Sequence, residues 1–328
     1  MATTVESDLK IYDPRVQGGF HEGIYQAIDA FNASSQGAIR FKSDRKPGDF
    51  DYTAFWQDVS GLITRRDMTS IAAATALKAT QGEMVNVKVN RKIGPVDVAR
   101  GSLVKAGFSI NDDGAQFALG QTVAAKVMQD RLNTGLLALV AALTNQAAVT
   151  YDGSADTTPT MSSDKLPKGL RKFGDASDDI VMWVMHSEAW FDLFEDQLGS
   201  TVTGIGNVLL YEARPGTLNR PTLVLDSPSL INTTPTPDEY TTLGLTSGAI
   251  EIEDTEGEYI VQDVITGLEQ IVHRMQGEYA TNYGIKGFAY DVANGGANPT
   301  DATIGTGSNW DPVVASHKGY SGCAIITQ

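Results

Sequence analysis

Apolar positions recur at helical spacing most persistently between Asp112 and Gln146. Phe117, Val123, Val127, Leu132, Leu136, Leu139, Val140 and Leu143 form one apolar face, and Asp112 and Asp113 suit the positive end of the helix dipole. At 1.5 Å per residue such a helix is about 50 Å long, which suits a strut. Gly114, Gly120 and Gly135 weaken it locally and predict kinks or a break. A second pattern starts at "IVMWVMHSEAWFDLFED", residues 180–196. The unbroken apolar run from Ile180 to Met185 predicts a strand buried on both faces. Ser187 then reads as a helix N-cap, with Glu188 in the first turn. Trp190, Phe194 and Leu198 repeat every four residues, and Gly199 marks the expected helix end.

Elsewhere the pattern is mostly extended. In "EMVNVKVNRKIGP", Val85, Val87 and Val89 point one way and Asn86, Lys88 and Asn90 the other, until Gly94-Pro95 closes the strand. Residues 240–292 predict further strands. The segment "GGFHEGIYQAIDAFNASS" spaces Phe20, Ile24, Ile28 and Phe31 as a helix within an N-terminal arm. Residues 38–60 read as extended and turn-rich, and "GLITRRDMTSIAAATALKA" as a short helix. Residues 149–179 are polar and rich in Gly, Pro, Ser, Thr and Asp, the composition of a linker or exposed loop. The elements together define an α+β fold class with a long two-legged excursion before the strut helix.

Composition narrows the class. The 328 residues are 41% hydrophobic, enough for a large core or two. Nowhere do about 18 apolar residues run together, so no membrane-spanning helix is expected, and the N-terminus lacks a basic-then-apolar leader. The single cysteine, Cys323, makes no internal disulfide; within "CAIITQ" it reads as a buried small hydrophobe, and synthesis in a reducing cytoplasm is the default. Net charge is −15 and uneven: residues 1–100 carry 13 basic and 12 acidic residues, the remainder 12 and 28. Such a surface disfavours gripping DNA through its phosphates. The basic pairs Arg45-Lys46, Arg65-Arg66 and Arg91-Lys92 could meet acidic surfaces of neighbouring copies, or lie solvated.

Catalytic patterns are missing from the sequence. Ser187 stands between His186 and Glu188 without the glycines of a nucleophile elbow. There is no phosphate-cradling glycine loop, and His21, His186, His273 and His317 are too far apart for a zinc-binding pair. No cofactor, metal or catalytic residue is expected. The aromatic cluster Phe50, Tyr52, Phe55 and Trp56 lies on an extended segment, where aromatics serve as interface anchors unless they pack into their own core.

The order of these parts resembles that of tailed-bacteriophage major capsid proteins. "NASSQGAIRFKSDRKPGDF" with "TRRD" at 64–67 looks like an N-arm passing into an extended loop. "LNTGLLALVAAL" at 132–143 looks like the end of a spine helix, and "WVMHSEAWFDL" and "NRPTLVLDS" like axial-domain units. "NPTDATIGTGSNWDPVVASHKGYSGCAIITQ" resembles the closing segment. The resemblance implies the HK97-like capsid fold. It assigns residues 1–37 to the N-terminal arm, 38–98 to the extended loop and 99–148 to the peripheral domain with the spine helix. Residues 149–239 would be linker and axial domain, and 240–328 peripheral-domain strands and the C-terminal segment. It further implies hexamers and pentamers forming an icosahedral head around double-stranded DNA, without sequence-specific binding. A separate scaffolding protein, a portal and a cement protein would be partners, with assembly in the host cytoplasm. Expected inter-subunit contacts are Phe50, Tyr52, Phe55, Trp56, Arg65, Arg66, Lys88 and Arg91. A loop lysine such as Lys78, Lys88 or Lys92 is available for cross-linking, without an identifiable partner. The rival readings are a cellular nanocompartment shell of the same fold and a serine hydrolase using Ser187 and His186.

Overall fold

The computed structural model describes residues 32, 35–44, 46–57, 59, 61–73, 75–101, 113–201, 216–267 and 269–328. The helix expected in the N-terminal arm, Arg45, the Asp112 helix start and the glycine-bearing run at 204–215 lie outside the described residues.

Two sheets carry the chain. The first has five strands in the order β1-β9-β10-β3-β2. They are β1 (Ile39–Ser43), β2 (Phe50–Trp56), β3 (Gln81–Ala99), β9 (Ile250–Ile265) and β10 (Val272–Ile285). The second contains β4 (Thr150–Asp152), β5 (Ile180–Met185), β6 (Thr222–Val224), β8 (Glu239–Thr246) and β13 (Gly322–Thr327), in the order β4-β13-β8-β5-β6. A short β7 (Ile231–Asn232) pairs with β8, while β11 (Phe288–Tyr290) and β12 (Trp310–Pro312) form a two-stranded ribbon. Sheet membership crosses the 239/240 division drawn from the sequence: β8 and β13 pair with β5 and β4, not with β9 and β10.

The strut is α1, Asp113–Thr144, continuous over 32 residues. No kink is needed at Gly135, because the missing side chain is used for packing. A Cβ there would lie 2.9 Å from Ile252 Cδ1 and 3.1 Å from Ile250 Cδ1, so the glycine lets the helix seat closely on β9. Toward its N-terminal end Val123, Ala124 and Val127 pack against Ile260, Met275 and Tyr279. Further along, Leu136, Leu139 and Leu143 enter the main core with Trp183, Phe288 and Trp310. The helix and the β9–β10 pair are therefore fixed together along much of α1.

Several sequence expectations change. β3 runs on past Gly94-Pro95 to Ala99, because a bulge sets those two residues opposite Gln276 and spares the ladder a proline donor. The polar stretch 149–179 is ordered: it supplies β4 and α2 (Lys165–Phe173), and buries Met161, Leu166 and Phe173. Residues 61–80, expected as a short helix, form turns and extended chain. Their large apolar residues are left exposed by the other described residues, and a short helix without a packed face is marginal.

At residues 180–201 β5 is buried as expected and α3 (Ser187–Thr201) follows. The N-cap position falls to His186, not Ser187: Trp190 N–H donates to the His186 carbonyl, and His186 Nδ1 accepts from the Glu188 N–H at 3.2 Å. The helix also passes through Gly199 to Thr201.

Candidate subunit-contact surface

The most exposed apolar surface lies on the excursion between β2 and β3. Those strands pair antiparallel from Phe50↔Val87 to Trp56↔Gln81. Beyond them the Gln57 N–H donates to the Thr80 carbonyl at 3.0 Å, and the Thr80 hydroxyl donates to Gln57 Oε1 at 2.9 Å. These bonds close the neck of a loop covering residues 58–79. Ile63 is 94% exposed and Ile71 fully so, and Leu62, Met68 and Leu77 are exposed as well. Fully burying an aliphatic side chain of this size is worth about 1.5–3 kcal/mol, so five left exposed make this loop a candidate contact surface. Asp67 accepts from the Thr69 N–H and hydroxyl, at 2.9 and 2.7 Å, which fixes a turn beside Arg65 and Arg66. Those hydrogen bonds hold its carboxyl below the usual carboxylate range.

The root of the loop is anchored to β9. Lys46 Nζ lies 2.5 Å from Asp51 Oδ2 and 2.9 Å from Glu253 Oε2, and the Glu253 side chain is almost wholly buried. Burial alone would lower the Lys46 pKa, but the hydrogen bonds and charges of Asp51 and Glu253 raise it above the ordinary lysine value. Lys42 of β1 pairs with Glu251 of β9 at 2.7 Å.

The eight expected contact residues divide. Tyr52 and Trp56 are more than half exposed, and Arg65 and Arg66 are exposed at the turn. Phe50 and Phe55 are half-buried within their own chain: Phe50 stacks on Tyr290 at 6.4 Å, and Phe55 lies across Gly82. Lys88 and Arg91 are engaged internally. Lys88 is buried and meets Glu256 at 2.9 Å, while Arg91 lies 3.3 Å from Asp130 and also holds Asp301. Lys88 is on the polar face of β3, but its side chain reaches across the neighbouring β10 to Glu256 of β9, which periodicity by itself does not reveal. The bare residues missed by the sequence reading are Leu62, Ile63, Met68, Ile71 and Leu77. They lie in the segment that the sequence reads as a short helix.

The residues of the hydrolase reading are arranged otherwise. The Ser187 hydroxyl is hydrogen-bonded to Asp226 and lowers that carboxyl's pKa, with His186 Nε2 3.5 Å from Asp226 Oδ1. Serine and histidine thus share the acid and do not face each other as nucleophile and base. Among the described residues no group of three or more His, Cys, Asp or Glu could hold a metal ion, and no helix is long and apolar enough to cross a membrane.

A spine-like helix on a long-stranded sheet, a second sheet beside it and a bare loop are the parts of the HK97-like capsid fold, and solved capsids share the architecture. The capsid of Ralstonia phage GP4 matches at TM-score 0.51 and 11% identity over 88% of this chain and 87% of that one. The Cyanophage Pam1 capsid matches at 0.52 and 9% over 88% of each chain. The capsid of Helicobacter pylori bacteriophage KHP30 matches at 0.53 and 8%, over 89% and 88%. A search of curated proteins finds no match. Residues 8–324 match the family described as Gp13-like, major capsid protein 13-like, and the chain belongs to that family. It is a structural protein of the phage capsid, present in the virion in many copies.

Proposed function

We propose that the chain assembles as hexamers and pentamers into an icosahedral head enclosing double-stranded DNA, and that residues 38–98 reach across a neighbouring subunit. The observation that carries this reading is the loop at 58–79, whose large apolar side chains are bare while its neck is held shut. A segment of this kind is stabilised by burial on another copy. The acidic body supports a wall that encloses DNA without binding it tightly. In this reading α1 is the spine of the peripheral domain and α3 belongs to the axial domain. A separate scaffolding protein, a portal and a cement protein would act with the chain in the host cytoplasm.

Replacing residues 61–78 with a short glycine linker tests the proposal. Phe50 and Lys46 are left in place, because they belong to the body. Circular dichroism and melting should stay near those of the parent, and electron micrographs should show no shells. Normal shells from the folded deletion would overturn the loop-crossing reading.

A further inference from the structure

The distal part of the β9–β10–β3 ribbon has two faces. The inner one is covered by α1. The outer one holds an open groove of about 290 Å³ lined by Tyr259, Val261, Asp263, Gln276, Gly277 and Glu278. Tyr259 is 54% exposed there. Gly277 forms the floor, because a Cβ would come within 3.0 Å of the Tyr259 carbonyl oxygen.

Charge pairing along β9 leaves Asp263, in this groove, apart. The other acids of β9 have cations in the same chain: Glu251 with Lys42, Glu253 with Lys46, Asp254 and Glu258 with Arg131, and Glu256 with Lys88. Arg274, at the groove wall, is committed to Asp97 through two contacts of 2.7 Å. Asp263 and Glu278 are exposed and have no ion-pair partner among the described residues, although Lys92 stands opposite Glu278 in the ladder. On the basic side, Lys42, Lys46, Lys88 and Arg91 are matched, whereas Arg65 and Arg66 have no ion-pair partner among the described residues.

We propose that the groove at Tyr259, Asp263 and Glu278 receives the Arg65-Arg66 turn of a second copy, a claim that rests on the loop-crossing reading above. Two guanidinium groups would meet two carboxylates and the open face of an aromatic ring, contacts that arginine makes better than lysine. Ile63 and Met68 would cover Val261. The chain does not make this contact with itself here. The loop leaves β3 at Gln81, and Glu278 pairs with Lys92 eleven residues along the strand. At about 3.3 Å per residue that is roughly 36 Å away. A plug at one end of a rigid strand and a socket toward the other make a head-to-tail contact, the kind that closes into rings of copies.

Cysteine pairing in assembled particles tests this. Arg66→Cys together with Glu278→Cys should give a ladder of covalent multimers on a non-reducing gel, since both sites are exposed and the native Cys323 is buried. Shells that run only as monomer would overturn the proposal. Charge reversal is the second arm. Arg65→Glu with Arg66→Glu should abolish shells, as should Asp263→Arg with Glu278→Arg, and the four changes together should restore them. If the loop deletion blocks assembly but groove reversal leaves shells intact, the docking site is wrong and the loop-crossing reading stands. If the loop deletion itself leaves shells intact, that reading fails first.

Discussion

Replacing Arg131 by methionine should cost the folded subunit about 3–5 kcal/mol, the usual penalty for removing one member of a buried ion pair. Arg131 is 1% exposed in the middle of α1. Its Nη2 lies 3.2 Å from Asp254 Oδ1 and 2.7 Å from Glu258 Oε1. Its Nε donates to the Thr281 hydroxyl at 3.2 Å, and its guanidinium sits 5.2 Å from the Tyr279 ring centre. Methionine keeps much of the volume but leaves two carboxylates under the helix without that cation. The cost should therefore come from stranded charge, not from a cavity. Urea unfolding of the unassembled subunit, followed by fluorescence of the buried Trp183 and Trp310, measures it. Adding Asp254→Asn and Glu258→Gln to Arg131→Met should recover most of the loss, because the stranded charges go with the cation. A single variant within about 1 kcal/mol of the parent, or a triple variant worse than the single, would refute the reasoning.

One substitution and one labelling experiment probe the second sheet. Gly244→Ala should destabilise by about 1–3 kcal/mol in the same assay, since a Cβ would fall 2.6 Å from Trp183 Cζ3 and 2.9 Å from Cys323 Sγ, both fully buried. Cys323, whose thiol is pushed up to about 12 by burial, should resist a thiol reagent at pH 8 in the folded subunit and react at once in urea. Rapid native labelling would contradict its placement between β4 and β8.

Long periodic elements were legible in the sequence, and elements defined by their neighbours were not. The α1 pattern anticipated Asp112 to Gln146 and the helix spans Asp113–Thr144, because its apolar stripe packs over most of that length. The run Ile180–Met185 was likewise readable as a doubly covered strand. The order in which strands pair was hidden: nothing local tells that β13 joins β8 and β4. α2 was missed because its buried positions are few and its polar residues are themselves engaged. Lys165 is buried with its ammonium donating to the carbonyls of Gly153 and Pro159 at 3.0 and 2.9 Å. A lysine count reads such a residue as surface, although burial lowers its pKa. Of the residues expected at contacts, Tyr52, Trp56, Arg65 and Arg66 are exposed, although only the first two lie on the segment that the sequence reads as extended. Lys88 and Arg91 were not separable from them, since only tertiary structure brings Glu256 and Asp301 to their side chains.

The uneven charge of the chain follows from that tertiary pairing. The near-neutral first hundred residues contribute β1, β2 and β3, and the acidic remainder contributes β9, β10 and α1, which lie against them. Lys42, Lys46, Lys88 and Arg91 each reach an acid of the later segment, so the loop's root is fastened by ion pairs as well as by ladder bonds. Each exposed pair adds little, but Glu253 and Lys88 are buried, and a buried charge tolerates only an arrangement that keeps its partner. That requirement fixes where the loop departs. Beyond Gln57 and Thr80 the chain carries bare aliphatic side chains and two exposed arginines, which no other described residue covers. A rigid root and an unsatisfied tip suit a shell subunit. The root sets the direction in which the loop leaves the body, and burial of the tip on another copy, as proposed above, would then require that copy to be in register.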